Sequence, residues 1–252
     1  MKQNDKNGHE TCPSMRQITL SRIESGDLHE NVPDRVIVEQ AITIMIDRVG
    51  SFTVMATPSD IEALAVGFVV SEGIINSMDD VLTVSAKEQL PHVVGIQVHD
   101  PTQIAIKRNM IVASSCGMCG VRNIDTMLAT MPCCGDLLKV SGDCVIKVTE
   151  DLRPLQQLFA ATGGSHAVGI FNAAGQIFAF AEDIGRHNAF DKAVGKCLLA
   201  RQSPAGCGAV ISGRVSLEIV TKAARAGIEI IAAVSAPSSF AIEAAEKWNI
   251  TL

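Results

Sequence analysis

The chain has 252 residues, 47% of them hydrophobic and 19% charged, which is enough apolar content for one large core or two modest ones. A net charge of −6 lacks the basic footprint of sequence-independent nucleic-acid binding, and no Tyr, one Trp and eight Phe leave few rings to stack on bases. No basic-then-apolar leader opens the sequence and no apolar run is long enough to cross a bilayer, so a cytoplasmic protein with neither membrane nor nucleic-acid partners is expected.

Residues 1–30 are polar and aperiodic, and are expected to form a mobile tail that includes Cys12. Alternation over 35–38, 41–46 and 52–55 predicts paired strands. Thr57, Pro58 and Asp60 predict a helix start, with Thr57 as the N-cap and Pro58 in the first helical position. Ile61, Leu64, Ala65, Phe68 and Val69 form its apolar stripe, and it stops near Glu72-Gly73. Strands are predicted over 81–85, 95–99 and 104–106, and a helix over 124–130 precedes Cys133-Cys134. Turn residues and short strands are expected over 131–148, with a boundary near 149–151. Beyond it the rhythm becomes a helix over 152–160, a hairpin of 166–171 with 176–181, then alternating helices (185–199, 215–226, 237–248) and strands (208–211, 228–234). This order predicts an α/β (α+β) protein, with a β-rich subdomain over 31–149 and, over 150–252, a mixed sheet with helices on both faces.

The chemistry concentrates in Ser114-Ser115-Cys116-Gly117-Met118-Cys119-Gly120. The glycines admit backbone angles closed to other residues, and a Cys-x-x-Cys pair typically holds one thiol with a lowered pKa. In a reducing compartment the eight cysteines read as thiols, metal ligands or redox groups rather than as a disulfide framework. Three chemistries stay open for Cys116 and Cys119: a dithiol–disulfide cycle, zinc binding with further ligands, or carriage of sulfur as a persulfide. Adjacent Cys133-Cys134 are an awkward pair for one tetrahedral zinc. A thioredoxin-like role fits poorly with a loop that follows a β-rich half rather than sitting in a βαβ unit.

Further motifs sit where strands meet helices. Gly185-Arg186-His187-Asn188 opens a helix, and Ser212-Gly213-Arg214 links a buried strand to the next one. Thr162-Gly163-Gly164-Ser165-His166 enters the hairpin, and Ser235-Ala236-Pro237-Ser238 leaves the last strand. Backbone N–H groups at helix starts, together with arginine forks, attract anions, and ligands in such sheets gather at the carboxyl ends of strands. The strand ends therefore converge on one candidate anion site.

Taken together, these stretches resemble the FdhD family of formate dehydrogenase accessory sulfurtransferases. The resemblance rests on Thr57-Pro58-x-Asp60, Leu64-Ala65-x-Gly67-Phe68, Glu72-Gly73-Ile74-Ile75, the cysteine loop, Thr162-Gly163-Gly164-x-His166, Glu182-Asp183-x-Gly185-Arg186-His187-Asn188-Ala189-x-Asp191-Lys192, Ser212-Gly213-Arg214 and Ser235-Ala236-Pro237. It implies a transferase that takes sulfur as a persulfide from a cysteine desulfurase. The sulfur then passes to a molybdenum or tungsten bis-molybdopterin guanine dinucleotide cofactor that serves formate dehydrogenase. By position Cys116 is the carrier and Cys119 its partner in transfer. Gly163, Gly164, His166, Arg186, His187, Asn188, Ser212, Gly213, Arg214 and Ser235 are expected to hold the cofactor, with a guanine nucleotide able to take the same site. The competing function is a non-catalytic chaperone that binds and delivers the cofactor.

The resemblance further implies a homodimer and a cytidine deaminase-like three-layer fold for the larger half. Deaminases hold zinc with His-x-Glu and Pro-Cys-x-x-Cys; the corresponding helix starts here carry no thiolates, and no metal is expected. Family members run on past a segment like Asn249–Leu252 into a stretch linked to cofactor binding, so part of that site is expected to be missing.

Overall fold

The computed structural model describes residues 3–4, 10–11, 14–87, 90–99, 110–112, 131 and 133–252. Two short strands, β1 (Gln3–Asn4) and β2 (Glu10–Thr11), pair antiparallel. They are followed by a hairpin of β3 (Met15–Glu24) and β4 (Asp27–Ile37). Its two-residue turn, Ser25-Gly26, has φ of 53° and 97°, the geometry that matches the twist of paired strands. Residues 15–30 are thus paired strand rather than tail. Both faces of this hairpin are largely exposed, so its sequence has no need of apolar alternation.

The first core is built on a five-stranded sheet of order β7-β8-β5-β6-β9. Its strands are β5 (Gln40–Ile46), β6 (Gly50–Ala56), β7 (Val81–Lys87), β8 (Leu90–Val98) and β9 (Met110–Val112). Ile42, Ile44 and Ile46 alternate inward opposite Phe52, Val54 and Ala56, and pack on Leu64, Phe68 and Val69 of α1 (Ile61–Ser71). The helix starts later than the sequence suggested. The Thr57 hydroxyl accepts from Ile184 N–H, 3.1 Å away, so it joins another element instead of capping, and Asp60 enters the helix through φ 51°.

The second core surrounds a four-stranded sheet of order β11-β10-β12-β13. β10 (His166–Phe171) runs antiparallel to both β11 (Ile177–Asp183) and β12 (Gly208–Ile211); β13 (Ile230–Ala233) runs parallel to β12. On one face Val168, Ile170, Ala209 and Ile211 meet α4 (Arg186–Leu199), α5 (Leu217–Ala226) and α6 (Ser239–Trp248). On the other, Ala167, Phe171, Val210 and Ala232 meet Val148 and Leu152 of α2 (Gly142–Leu155). A short helix, α3 (Gln157–Thr162), leads into β10. The architecture is a mixed α/β one. Where the sequence suggested short strands and a boundary, α2 runs unbroken across 149–151, capped by Ser141, whose hydroxyl accepts from Cys144 N–H.

The two cores meet where α1 crosses α4. A Cβ added to Gly67 would lie 1.8 Å from the Asp191 carbonyl oxygen, and one on Gly195 would lie 1.8 Å from that of Ala63. The helices touch backbone to backbone, which leaves α1 buried on nearly every side.

Candidate functional site

The end of β12, the start of β10 and the start of α4 come together. Ser212 extends the β10–β12 pairing: its N–H donates to Ala167 O and its hydroxyl accepts from Ala167 N–H. Gly213 then lies against both His166 and Arg186. A Cβ there would sit 3.3 Å from His166 Nδ1 and 3.6 Å from Arg186 Cβ. Next to this point opens a cavity of about 850 Å³, lined by Gly163, Gly164, Ser165, His166 and Ser212, with Leu152, Arg153, Phe159 and Val234 among its other walls. Ser235 is exposed, one residue beyond Val234, and Arg214 is exposed beside Gly213.

The field here is positive. Burial and then Arg186 and Arg214 lower the pKa of His166, with Asp183 opposing them. Burial, Arg186, Lys222 and His166 push His187 down to about 3. Both imidazoles are therefore neutral at physiological pH, and the arginines carry the charge. Among the described residues Arg186 Nε is buried with no hydrogen-bond partner. A buried unsatisfied donor is costly and marks Arg186 as a residue whose acceptor has to be accounted for.

Other members of the same motifs are taken up by the scaffold. Asp183, fully buried, accepts from the backbone N–H of Thr57 and Gly185 and from Asn188 Nδ2, and pairs with Lys192 at 2.6 Å. Asn188 Nδ2 also donates to Met55 O, and Lys192 Nζ to Thr57 O. Asn188 thus faces the β6–α1 connection. Burial lowers the pKa of Lys192 while Asp183 opposes it. One turn on, Lys222 Nζ bonds Asp191, Glu72 and Ser71 beneath α1. Burial pushes Asp191 up to about 6; it also opposes the charge on Lys222, but Asp191, Glu72 and Glu218 together hold that lysine above its usual range. Gly164 is tight because Ile37 of β4 would come within 2.9 Å of an added Cβ, and Gly163 ends α3 at φ 65°.

Sequence reasoning passed over Glu182. Its carboxylate accepts from Leu158 and Phe159 N–H and from the Ser165 hydroxyl, and so fixes the entrance of α3 beside the cavity. Only its place beside Asp183 in a charged run marked it.

Cys116, Cys119 and the rest of the loop at 114–120 lie outside the described residues. Cys133 is exposed and donates to Lys247 O at 3.3 Å; Cys134 donates to Ala224 O at 3.8 Å. Both acceptors lie near helix C-termini. Burial, with Glu229 and Cys133, pushes Cys134 up to about 11. Among the described residues no three His, Cys, Asp or Glu side chains gather as metal ligands. Nor is any described helix long and apolar enough to cross a membrane.

Comparison with known proteins fits this arrangement. A family model described as the FdhD/NarQ family matches residues 37–252. The chain belongs to the FdhD/NarQ family. Among its relatives, the sulfur carrier protein FdhD of Saccharolobus solfataricus is 38% identical over 242 residues, 94% of this chain and 91% of that protein. The protein of the same name from Sulfurisphaera tokodaii is 41% identical over 200 residues, 79% of this chain and 76% of the relative. That of Burkholderia mallei is 37% identical over 242 residues, covering 92% and 88%. A crystal structure from Desulfotalea psychrophila, provisionally named a formate dehydrogenase accessory protein, superposes with a TM-score of 0.72 at 22% identity, covering 94% of this chain and 90% of the other. That likeness shows that the chain shares the fold of the solved structure over nearly its whole length.

Proposed function

We propose that this chain is a cytoplasmic, homodimeric sulfurtransferase that serves formate dehydrogenase. Cys116 carries the sulfur, and the acceptor is a molybdenum or tungsten bis-molybdopterin guanine dinucleotide. The names of its relatives support sulfur carriage, and that of its structural neighbour supports the link to formate dehydrogenase. The Cys116 thiolate attacks the outer sulfur of a persulfide on a cysteine desulfurase. That S–S bond breaks, the desulfurase leaves as a thiolate, and Cys116 holds the persulfide. Cys119 then attacks the inner sulfur. The terminal sulfur departs with the bonding pair as hydrosulfide for the acceptor, and Cys116 and Cys119 are oxidised to a disulfide that a thiol reductant reopens.

The observation that carries the acceptor half is Arg186, whose buried Nε has no partner among the described residues and whose Cβ lies against Gly213 and near His166. An anionic phosphate would supply the acceptor it lacks, and Ser212-Gly213 offers backbone at close approach. The apolar wall of the adjoining cavity suits a flat heterocycle. We further assign the larger half to the cytidine deaminase-like architecture, supported by the order α3, hairpin, α4, β12, α5, β13. On that assignment the helix starts that hold zinc in deaminases present Arg186 and Ser212-Gly213-Arg214 to phosphate instead.

Binding of guanosine diphosphate, measured by calorimetry, tests this half. Arg186→Ala is expected to weaken it about 10- to 100-fold through loss of a charge-assisted bond. Equal affinity in Arg186→Ala and the parent would refute the assignment.

A further inference from the structure

Three side chains stand in line where α4 begins beside α5. Ser216 Oγ is 3.2 Å from His187 Nε2, and His187 Nδ1 is 3.2 Å from Glu218 Oε1. An ionised Glu218 fixes the tautomer: Nδ1–H donates to the carboxylate, which leaves Nε2 to accept the Ser216 proton. Those are the roles that a nucleophile, a base and an orienting acid hold in an acyl-transfer triad. Burial and the neighbouring cations keep the imidazole neutral at physiological pH, able to accept a proton but a weaker base than a free imidazole. Ser216 is half-buried, and the side chains of His187 and Glu218 are 10% and 13% exposed, so the three lie near the surface and are mostly screened from it.

Capping alone does not account for this line. Ser216 is the N-cap of α5 and accepts from Ile219 N–H, but Ser141 and Ser238 cap α2 and α6 in the same way, through Cys144 and Ala241 N–H, without drawing a His–Glu pair into the bond. The helix start adds something else: its positive end stabilises an alkoxide or oxyanion at the serine. Arg186, the neighbour of His187, has the unsatisfied Nε described above.

We propose that Ser216, His187 and Glu218 form an acyl-transfer centre for an anionic carboxylic ester or thioester whose charged group is held by Arg186. Ser216 Oγ attacks the carbonyl carbon as its proton passes to His187 Nε2. The tetrahedral adduct collapses, the C–O or C–S bond breaks, and the leaving group takes the proton from Nε2. Water, activated in turn by His187, cleaves the acyl-serine and restores the hydroxyl. Glu218 is a positioning residue that orients the ring and balances the imidazolium.

The test uses the full chain and a fluorophosphonate probe. One phosphonyl adduct on Ser216 is expected by intact mass and peptide mapping, with fluoride as the leaving group. His187→Gln is expected to slow labelling about 100-fold, the scale of a lost general base. Ser216→Asp keeps an acceptor at the cap but abolishes the adduct. Glu218→Gln is expected to lower kcat for ester hydrolysis about tenfold with KM unchanged, the mark of an interaction made only in the transition state. The 4-nitrophenyl half-ester of succinate is expected to turn over faster than 4-nitrophenyl acetate, and to lose that advantage in Arg186→Ala. Labelling of the parent that misses Ser216, or that proceeds equally fast in His187→Gln, overturns the proposal. Neither reagent involves a desulfurase or a persulfide, so failure here is distinct from failure of the sulfur-carrier reading.

Discussion

Lys192→Met tests how the site is held. Lys192 and Asp183 are both fully buried, 2.6 Å apart, and each also binds the backbone of Thr57. The substitution keeps the apolar stem and deletes the charge, which leaves the Asp183 carboxylate without its cation. Breaking one side of a buried pair costs about 3–5 kcal/mol. Three other donors still reach Asp183, from Thr57, Gly185 and Asn188, so the lower end, about 3 kcal/mol, is expected here. With a urea slope of about 2–3 kcal/mol per molar, the unfolding midpoint should fall by about 1–1.5 M. Asp183→Asn combined with Lys192→Met should recover at least half of the loss, because no uncompensated charge remains. A midpoint drop below about 0.3 M in the single variant, or a double variant as unstable as the sum of its parts, would show that the pair does not fasten the two cores together.

Other expectations follow from the same packing. Gly67→Ala must push α1 off α4, because the new Cβ meets the Asp191 carbonyl at 1.8 Å; a loss of about 3 kcal/mol is expected in the same urea titration. His187 titrates near 6.5 unfolded and about 3 folded, so between those values the unfolded chain holds a proton that the folded one refuses, and stability is lost as pH falls below 6.5. That slope is about 1.4 kcal/mol per pH unit, and His187→Gln should flatten it between pH 6.5 and 5. Asp191 works the opposite way between 3.8 and about 6, so parent and variant must be compared at each pH rather than the parent alone. Cys116→Ala is expected to abolish sulfur transfer, read as hydrosulfide released after loading by a desulfurase.

The elements that the sequence made legible are those with a strong apolar signal, whether a run buried on both faces or a helical stripe. The hairpin at 166–183, the helices at 186–199 and 217–226 and the strand at 208–211 fall close to where their apolar spacing puts them. The misses have physical causes. Met15–Ile37 forms a hairpin exposed on both faces, so pairing left no apolar period to read. In α2 only Val148 and Leu152 are buried, while Val145, Ile146 and Thr149 gave the stretch a strand-like composition. Thr57 looked like an N-cap because its hydroxyl does accept a backbone N–H, but the donor is Ile184, 127 positions away.

The site shows the same division. Arg186, His166 and Ser212-Gly213 were readable because a helix start or strand end after a glycine has few reasons to carry them. Asn188 sat in the same motif, yet its amide is engaged by Met55 and Asp183. Ser216 and Glu218 escaped notice because their significance lies in His187, brought from another helix.

The measurement that bears most directly on the central claim is the intact mass of the protein after incubation with a cysteine desulfurase and cysteine, with and without reductant. The account predicts a reductant-sensitive gain of one sulfur atom, mapped to Cys116 and missing from Cys116→Ala. An unchanged mass beside an active desulfurase, or a gain that persists in Cys116→Ala, would contradict it.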